Sequence, residues 1–251
     1  MPSSLTGKKL FGAGRFFGIN NVTNPTPARF QTMQDSMIDF KSATKHLFGE
    51  NRLPVAVAVG EVSVTGKVTL GANNSRMFAD LVFATSQVAG QQLEADKEAG
   101  AIPATPFVIT VANGATFLTD LGVTKTDGTV FVRVASAPTT GQYSVNTVTG
   151  AYTFAAADTL LNVLLSYLYT AAATGSKIVM SNTPMGPAGA FTGIMAMPYG
   201  TEQDVFTFNN CITQGAGISN KNGDYAKPTF DFMCSTDSTD ILGTLSFAEV
   251  T

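Results

Sequence analysis

The sequence predicts an all-β protein: a mostly antiparallel β-sandwich or barrel with one flanking α-helix and an additional β-rich module. Three observations carry that reading. Residues 51–71 hold the longest run of β-forming residues, with apolar positions recurring at period 2. The 24 Gly and 11 Pro suit many turns between short strands. The best helical periodicity is confined to residues 73–85.

The N-terminal segment, residues 1–27, is loop-like and rich in Gly, Asn, Pro and Thr, yet it carries Leu10, Phe11, Phe16 and Phe17. A free tail does not usually expose four such side chains. They dock either on the chain's own core or on a neighbouring subunit. Residues 28–41 read as one strand or a pair, with Phe30, Thr32, Ile38 and Phe40 on one parity and Met33 and Met37 on the other. Residues 42–49 read as one helical turn closed by Gly49.

In the ribbon that follows, Val55, Val57 and Val59 are odd-numbered, whereas Val62, Val64, Val68 and Leu70 are even-numbered. A regular strand cannot change parity, because a one-residue slip carries every side chain to the other face. A bulge or bend is therefore expected at Gly60-Glu61, where Gly tolerates it. Next, Met77 and Leu81 with Phe78 and Val82 form an i/i+4 stripe, and Asn73, Asn74 or Ser75 can cap it. Residues 86–104 read as a polar loop or short strand.

Residues 105–171 have a different texture. Asp127-Gly128 and Thr149-Gly150 mark hairpins, residues 155–158 a short turn, and Val163, Leu165, Tyr167 and Tyr169 one face of a strand. The expected organisation is a core from residues 1–104 and 172–251, with a β-rich module, residues 105–171, inserted. The last part offers strands at residues 176–182, 191–197, 204–213 and 227–236, and an apolar close at Ile241, Leu242, Leu245 and Phe247.

Charged residues are only 13% of the chain, about half the usual share, and net charge is −3. No Lys/Arg run exceeds Lys8-Lys9, which argues against a dedicated nucleic-acid binder. A surface so poor in charge is either a polar β surface or is covered by partners. The N-terminus has no apolar signal core, and no run approaches the ~20 apolar residues of a membrane helix. The chain is expected to be made in a cytoplasm. Cys211 and Cys234 match no metal spacing and read as two buried or semi-buried thiols.

Chemistry is scarce. His46 is the one histidine, with no Gly-x-Ser-x-Gly elbow to serve. Gly12-Ala13-Gly14 lacks the third glycine of a dinucleotide fingerprint, since Phe17 stands there. Asp35/Asp39 and Glu94/Glu98 are spaced by four, and Asp231, Asp237 and Asp240 lack a calcium-loop pattern. The expectation is no enzyme, no cofactor, no metal and no catalytic residue.

Residues 40–71 resemble the major tail tube proteins of tailed bacteriophages. The matching pattern is Phe40, Lys41, Lys45, Leu47, Phe48, Gly49, Pro54, Val57, Ala58, Gly60, Val64, Gly66 and Lys67. Residues 141–158 and 227–249 also resemble phage structural proteins. The resemblance implies a β-sandwich of tail-tube type and rings of six copies whose inner strands join into one barrel. The rings stack into a tube through which DNA passes during ejection without specific binding. It implies residence in the virion tail and no membrane. Partners would be copies of the chain and other tail proteins, such as tape measure, terminator and baseplate or distal tail proteins. The second half of the ribbon, Val62 to Leu70, would line that barrel, with Glu61, Ser63, Thr65, Lys67 and Thr69 as candidates to face the lumen and the valines packed in the sandwich. Phe11, Phe16, Phe17, Phe40, Leu47, Phe48, Val62, Val64, Val68 and Leu70 become candidates for the subunit interface. The alternative is another virion structural protein, a head decoration protein or a receptor-binding, adhesin-like β-module.

Overall fold

The computed structural model describes residues 12–182, 189–200 and 202–248. The chain forms β1 (Arg15–Asn20), β2 (Ala28–Phe30), β3 (Met33–Phe48) and β4 (Pro54–Leu70) before a short helical segment, Met77–Val82. It continues with β5 (Val88–Ala101), β6 (Val108–Thr110), β7 (Phe117–Lys125), β8 (Val132–Arg133), β9 (Gln142–Asn146), β10 (Ala151–Phe154) and β11 (Asn162–Lys177). It ends with β12 (Ala190–Tyr199), β13 (Glu202–Gly217), β14 (Thr229–Ser235) and β15 (Gly243–Ser246). The fold is all-β and mostly antiparallel, as the alternating pattern predicts; among the described residues only β8 and β9 pair in parallel.

Two compact units divide the chain: Met1–Gln87 with Ile178–Thr251, and Val88–Lys177. The boundary expected at residue 105 thus lies at Val88. The reason is pairing: β5, read from sequence as a loop or short strand, is a 14-residue partner of β11, down to Ala89 opposite Ser176 and Val88 opposite Lys177.

In the first unit the sheet order is β2-β1-β12-β13-β14-β4-β3, with β15 on β13. β13 is paired along one edge with β12; its other edge takes β15 at Val205–Phe208 and then β14 from Asn210. Phe16 on β1 and Phe232 on β14 have ring centroids 5.2 Å apart, although their strands are three positions apart in the sheet. At about 4.8 Å per strand spacing a flat sheet would hold them roughly 14 Å apart. The sheet therefore curls around a core of Phe16, Phe30, Val64, Val68, Leu70, Phe191, Phe208, Phe230 and Phe232. Gly66 lies among these residues, and a side chain there would run into the Phe232 ring.

The helical segment packs against this core through buried Met77, Ala79 and Leu81, with Phe78 and Val82 partly buried. Its bonds widen to i→i+5, as the Phe83 N–H donates to the Phe78 carbonyl at 2.9 Å, so the expected α-helix is largely a π turn. Asn74 caps it: Oδ1 accepts from the N–H groups of Arg76 (3.1 Å) and Met77 (3.3 Å).

The second unit packs sheet β5-β11-β7 with sheet β6-β10-β9-β8 around Ile102, Val123, Phe131, Tyr143, Tyr152, Phe154, Val163, Leu165 and Tyr167. Both expected hairpins are present. Gly128 (φ 90°) turns the chain so that Lys125 N–H donates to Thr129 O, and Gly150 (φ 63°) precedes β10. Val163, Leu165 and Tyr167 share the buried face of β11.

Two local readings are overturned. Residues 42–48 continue β3 rather than forming a helical turn, because Thr44 to Leu47 pair with Val59 to Ala56. Residues 178–182 form no strand beyond the end of β11.

Candidate functional site

The β3–β4 hairpin runs beyond the core that its base helps to build. At the base, Ile38 opposes Gly66 and Phe40 opposes Val64, and these even-numbered β3 residues share the core face. Ser42 opposes Val62, but Thr44 opposes Val59. One β3 residue, Ala43, therefore faces two on β4, Gly60 and Glu61. This is the bulge that the parity change predicts.

The bulge has a definite consequence. β3 is regular from Ser42 to Leu47, so Thr44 and His46 stay on the core face. Their partners Val59 and Val57, and Val55 by alternation, are brought to that same face. Without the extra residue these three valines would point to the opposite side. An apolar face thus continues out of the core and along the free hairpin, from Val64 through Val62 to Val59, Val57 and Val55. Coverage stops abruptly: Val64 is 3% exposed, Val62 64% and Val59 68%. Phe48 lies on the same face beside His46, ring centroids 6.2 Å apart, and is also exposed.

The sequence-predicted residues separate into groups. Phe40, Leu47, Phe48 and Val62 are exposed on the hairpin. Phe16, Val64, Val68 and Leu70, expected at a subunit interface, are buried in the chain's own core and offer no surface. Their strands lie within the curled sheet, whose inner face is filled by aromatic rings. Phe17 is half-buried, with the Arg29 guanidinium carbon 5.9 Å from its ring centroid. Phe11 lies outside the described residues. Of the lumen candidates, Glu61 sits in the bulge, while Ser63, Thr65, Lys67 and Thr69 share the outer face of β4 opposite Lys41, Asp39, Met37 and Asp35. Lys67 Nζ stands 3.9 Å from Asp231 Oδ1, an exposed pair that contributes little to stability.

Of the half expected to line a shared barrel, Val64, Val68 and Leu70 pack inward and Ser63, Thr65, Lys67 and Thr69 lie on the outer face. From Val64 onward that half forms the subunit core, and the half before the bulge is the free one.

A polar cluster in the second unit was not read from the sequence. Asp120 on β7 accepts hydrogen bonds from Tyr143 (2.7 Å), Tyr152 (2.9 Å) and the Gly122 N–H (3.0 Å), with Arg133 Nη1 at 3.5 Å. Burial, then the hydrogen bond to Asp120, raises the Tyr143 hydroxyl well above the ordinary phenol range. Burial, then the Asp120 charge, does the same to Tyr152. Nearby, Tyr167 donates to Glu98, which also accepts from the Ala112 N–H at 2.9 Å. These networks satisfy buried polar groups and tie β7 to β9 and β10. The available signal was a carboxylate beside Gly122 in a strand that also carries Phe117, Leu118, Leu121 and Val123.

Among the described residues no group of three or more His, Cys, Asp or Glu is placed to hold a metal ion. None of the described helices is long and apolar enough to cross a membrane. His46 lies on the hairpin, with Nε2 3.4 Å from Thr44 Oγ1. What the hairpin offers chemically is an apolar, strand-shaped surface. No protein-family model matches the chain, and no curated protein matches its sequence at a significant level.

Proposed function

We propose that the chain is a structural subunit that assembles with copies of itself into closed rings stacked as a phage tail tube, through which DNA passes. The observation that supports this reading is the apolar face that leaves the core and stays uncovered along the β3–β4 hairpin. From Val62 to Val55 that hairpin extends roughly 25 Å as two strands. An isolated two-stranded ribbon is marginal in water. Covering Phe48, Val55, Val57, Val59 and Val62 would contribute about 1.5–3 kcal/mol for each side chain fully buried. That is enough to matter after the cost of association.

A second copy suits this face better than an unrelated partner for two reasons. The sheet ends in β2 and β3, whose outer edges are open to further pairing among the described strands. The surface is also poor in charge, as expected of a chain that buries much of it against like surfaces. Ring closure needs a head-to-tail contact between two different patches, hairpin to core, that returns on itself. The resemblance of residues 40–71 to tail tube proteins spans this same hairpin.

The test is negative-stain microscopy with sedimentation velocity on the purified protein. Rings or hollow tubes are expected. Val57→Asp should fold with unchanged circular dichroism yet remain monomeric. A wild-type chain that stays monomeric at high concentration, even with tail partner proteins added, would sink the proposal.

A further inference from the structure

Cys211 on β13 and Cys234 on β14 are register partners in the core sheet. Their Sγ atoms are 2.9 Å apart, and the side chains are 0% and 6% exposed. Both thiols are free. Directly opposed residues on antiparallel strands have Cα atoms about 4.5–5.5 Å apart, within the ~4.4–6.8 Å that a disulfide spans. The sulfurs already face each other, so bond formation needs a small approach rather than a rearranged backbone. The site has little slack: a side chain on Gly193 would press on Cys211 Sγ, and Cys211 Sγ lies 3.9 Å from the Phe208 carbonyl oxygen.

We propose that Cys211 and Cys234 are a reversible dithiol–disulfide pair that a low-molecular-weight disulfide oxidises to an intrachain staple between β13 and β14. The thiolate of Cys234, the less buried of the two, attacks the reagent disulfide and releases one reagent thiol. The Cys211 thiolate then attacks the Cys234 sulfur, forms the Cys211–Cys234 bond and displaces the second reagent thiol. Two electrons and two protons leave the protein, and one disulfide molecule becomes two thiols. The hydrogen bond with Cys234 and then burial hold the Cys211 thiol far above the ordinary range, so the exchange runs through brief opening of the sheet and is slow.

The placement gives the bond a structural role. β13 changes partner beside it: Phe208 still opposes Gly243 of β15, whereas Asn210 opposes Ser235 of β14. A staple here locks that fork and closes the loop between β13 and β14. It would form when the protein passes from a reducing cytoplasm to an oxidising exterior.

The experiment incubates the full-length chain with oxidised glutathione at the highest temperature at which it stays folded. The reaction is quenched with acid, the protein is unfolded, and thiols are counted with a maleimide. Two thiols should disappear together, with the intact mass lower by two hydrogens and a single peptide joining the two cysteines. Dithiothreitol should restore both thiols. The melting transition of the oxidised form should rise by roughly 5 °C. Cys234→Ser should keep its remaining thiol or carry one glutathione. If two free thiols persist, or if glutathione adducts accumulate on both cysteines, the proposal fails. The wild-type mass and linked peptide decide this even if the Ser variant folds poorly.

Discussion

Asp120 shows how one residue holds a small sandwich together. Its buried carboxylate accepts from two phenols, Tyr143 and Tyr152, on neighbouring strands β9 and β10. Asp120→Ala leaves both hydroxyls without that acceptor, at ~1–3 kcal/mol each. A loss of roughly 2–5 kcal/mol from the second unit's transition is expected by calorimetry, with a smaller loss for Asp120→Asn. The same geometry sets the alkaline limit. Both phenols have folded-state values raised above their unfolded ones, so their contribution is full below about pH 10 and is lost as pH rises past it. Tyrosinate absorbance should therefore show Tyr143 and Tyr152 ionising together with unfolding of the unit. In Tyr143→Phe and Tyr152→Phe the alkaline slope should be shallower.

The β3–β4 hairpin is an element with two roles divided by one bulge. Below Gly60-Glu61 the strand is core: Val64 and Val68 are buried, and Thr65 and Lys67 lie on the outer face. Val64→Asp places a charge among aromatic rings and should abolish folding, whereas Thr65→Asp should fold normally; circular dichroism and melting separate them. Deleting Gly60 tests the other half. The core below the bulge keeps its register, so the melting temperature should change little. Val55, Val57 and Val59 move to the opposite face, and ring or tube formation should be lost in micrographs. If assembly survives the deletion, the valine face is not the contact.

At the level of the whole chain, the second unit has the form of an insertion. Its two ends are paired, Val88 with Lys177 and Ala89 with Ser176. Ends held together make an insertion removable, because the residues that flank it are already neighbours. A chain with residues 88–177 replaced by a short Gly-Ser link should fold and retain the first unit's transition. Under the tail tube reading it should also still form rings. If that deletion abolishes attachment to a receptor while assembly persists, the second unit is a binding head. That outcome would favour the adhesin-like alternative for this part of the chain.

The sequence by itself determined the class, the parity change at Gly60-Glu61, the two hairpins of the second unit and the buried face of β11. Each is a local property. Alternation states which residues share a face, a parity break states that backbone is inserted, and Asp-Gly or Thr-Gly states where the chain turns. Tertiary structure alone decided which faces are covered. Val59 and Val64 look alike in the sequence, yet one lies on a free hairpin and the other against Phe232 and its neighbours, because β14 pairs with β4 only as far as Val64. The facing strand of the hairpin overrode the helical turn at residues 42–48, while partners distant in the chain drew β5 into the second unit and enclosed Asp120. Burial is a sum over contacts with remote strands, and no local pattern contains it. The candidate surface emerged where that sum falls away while the apolar alternation continues.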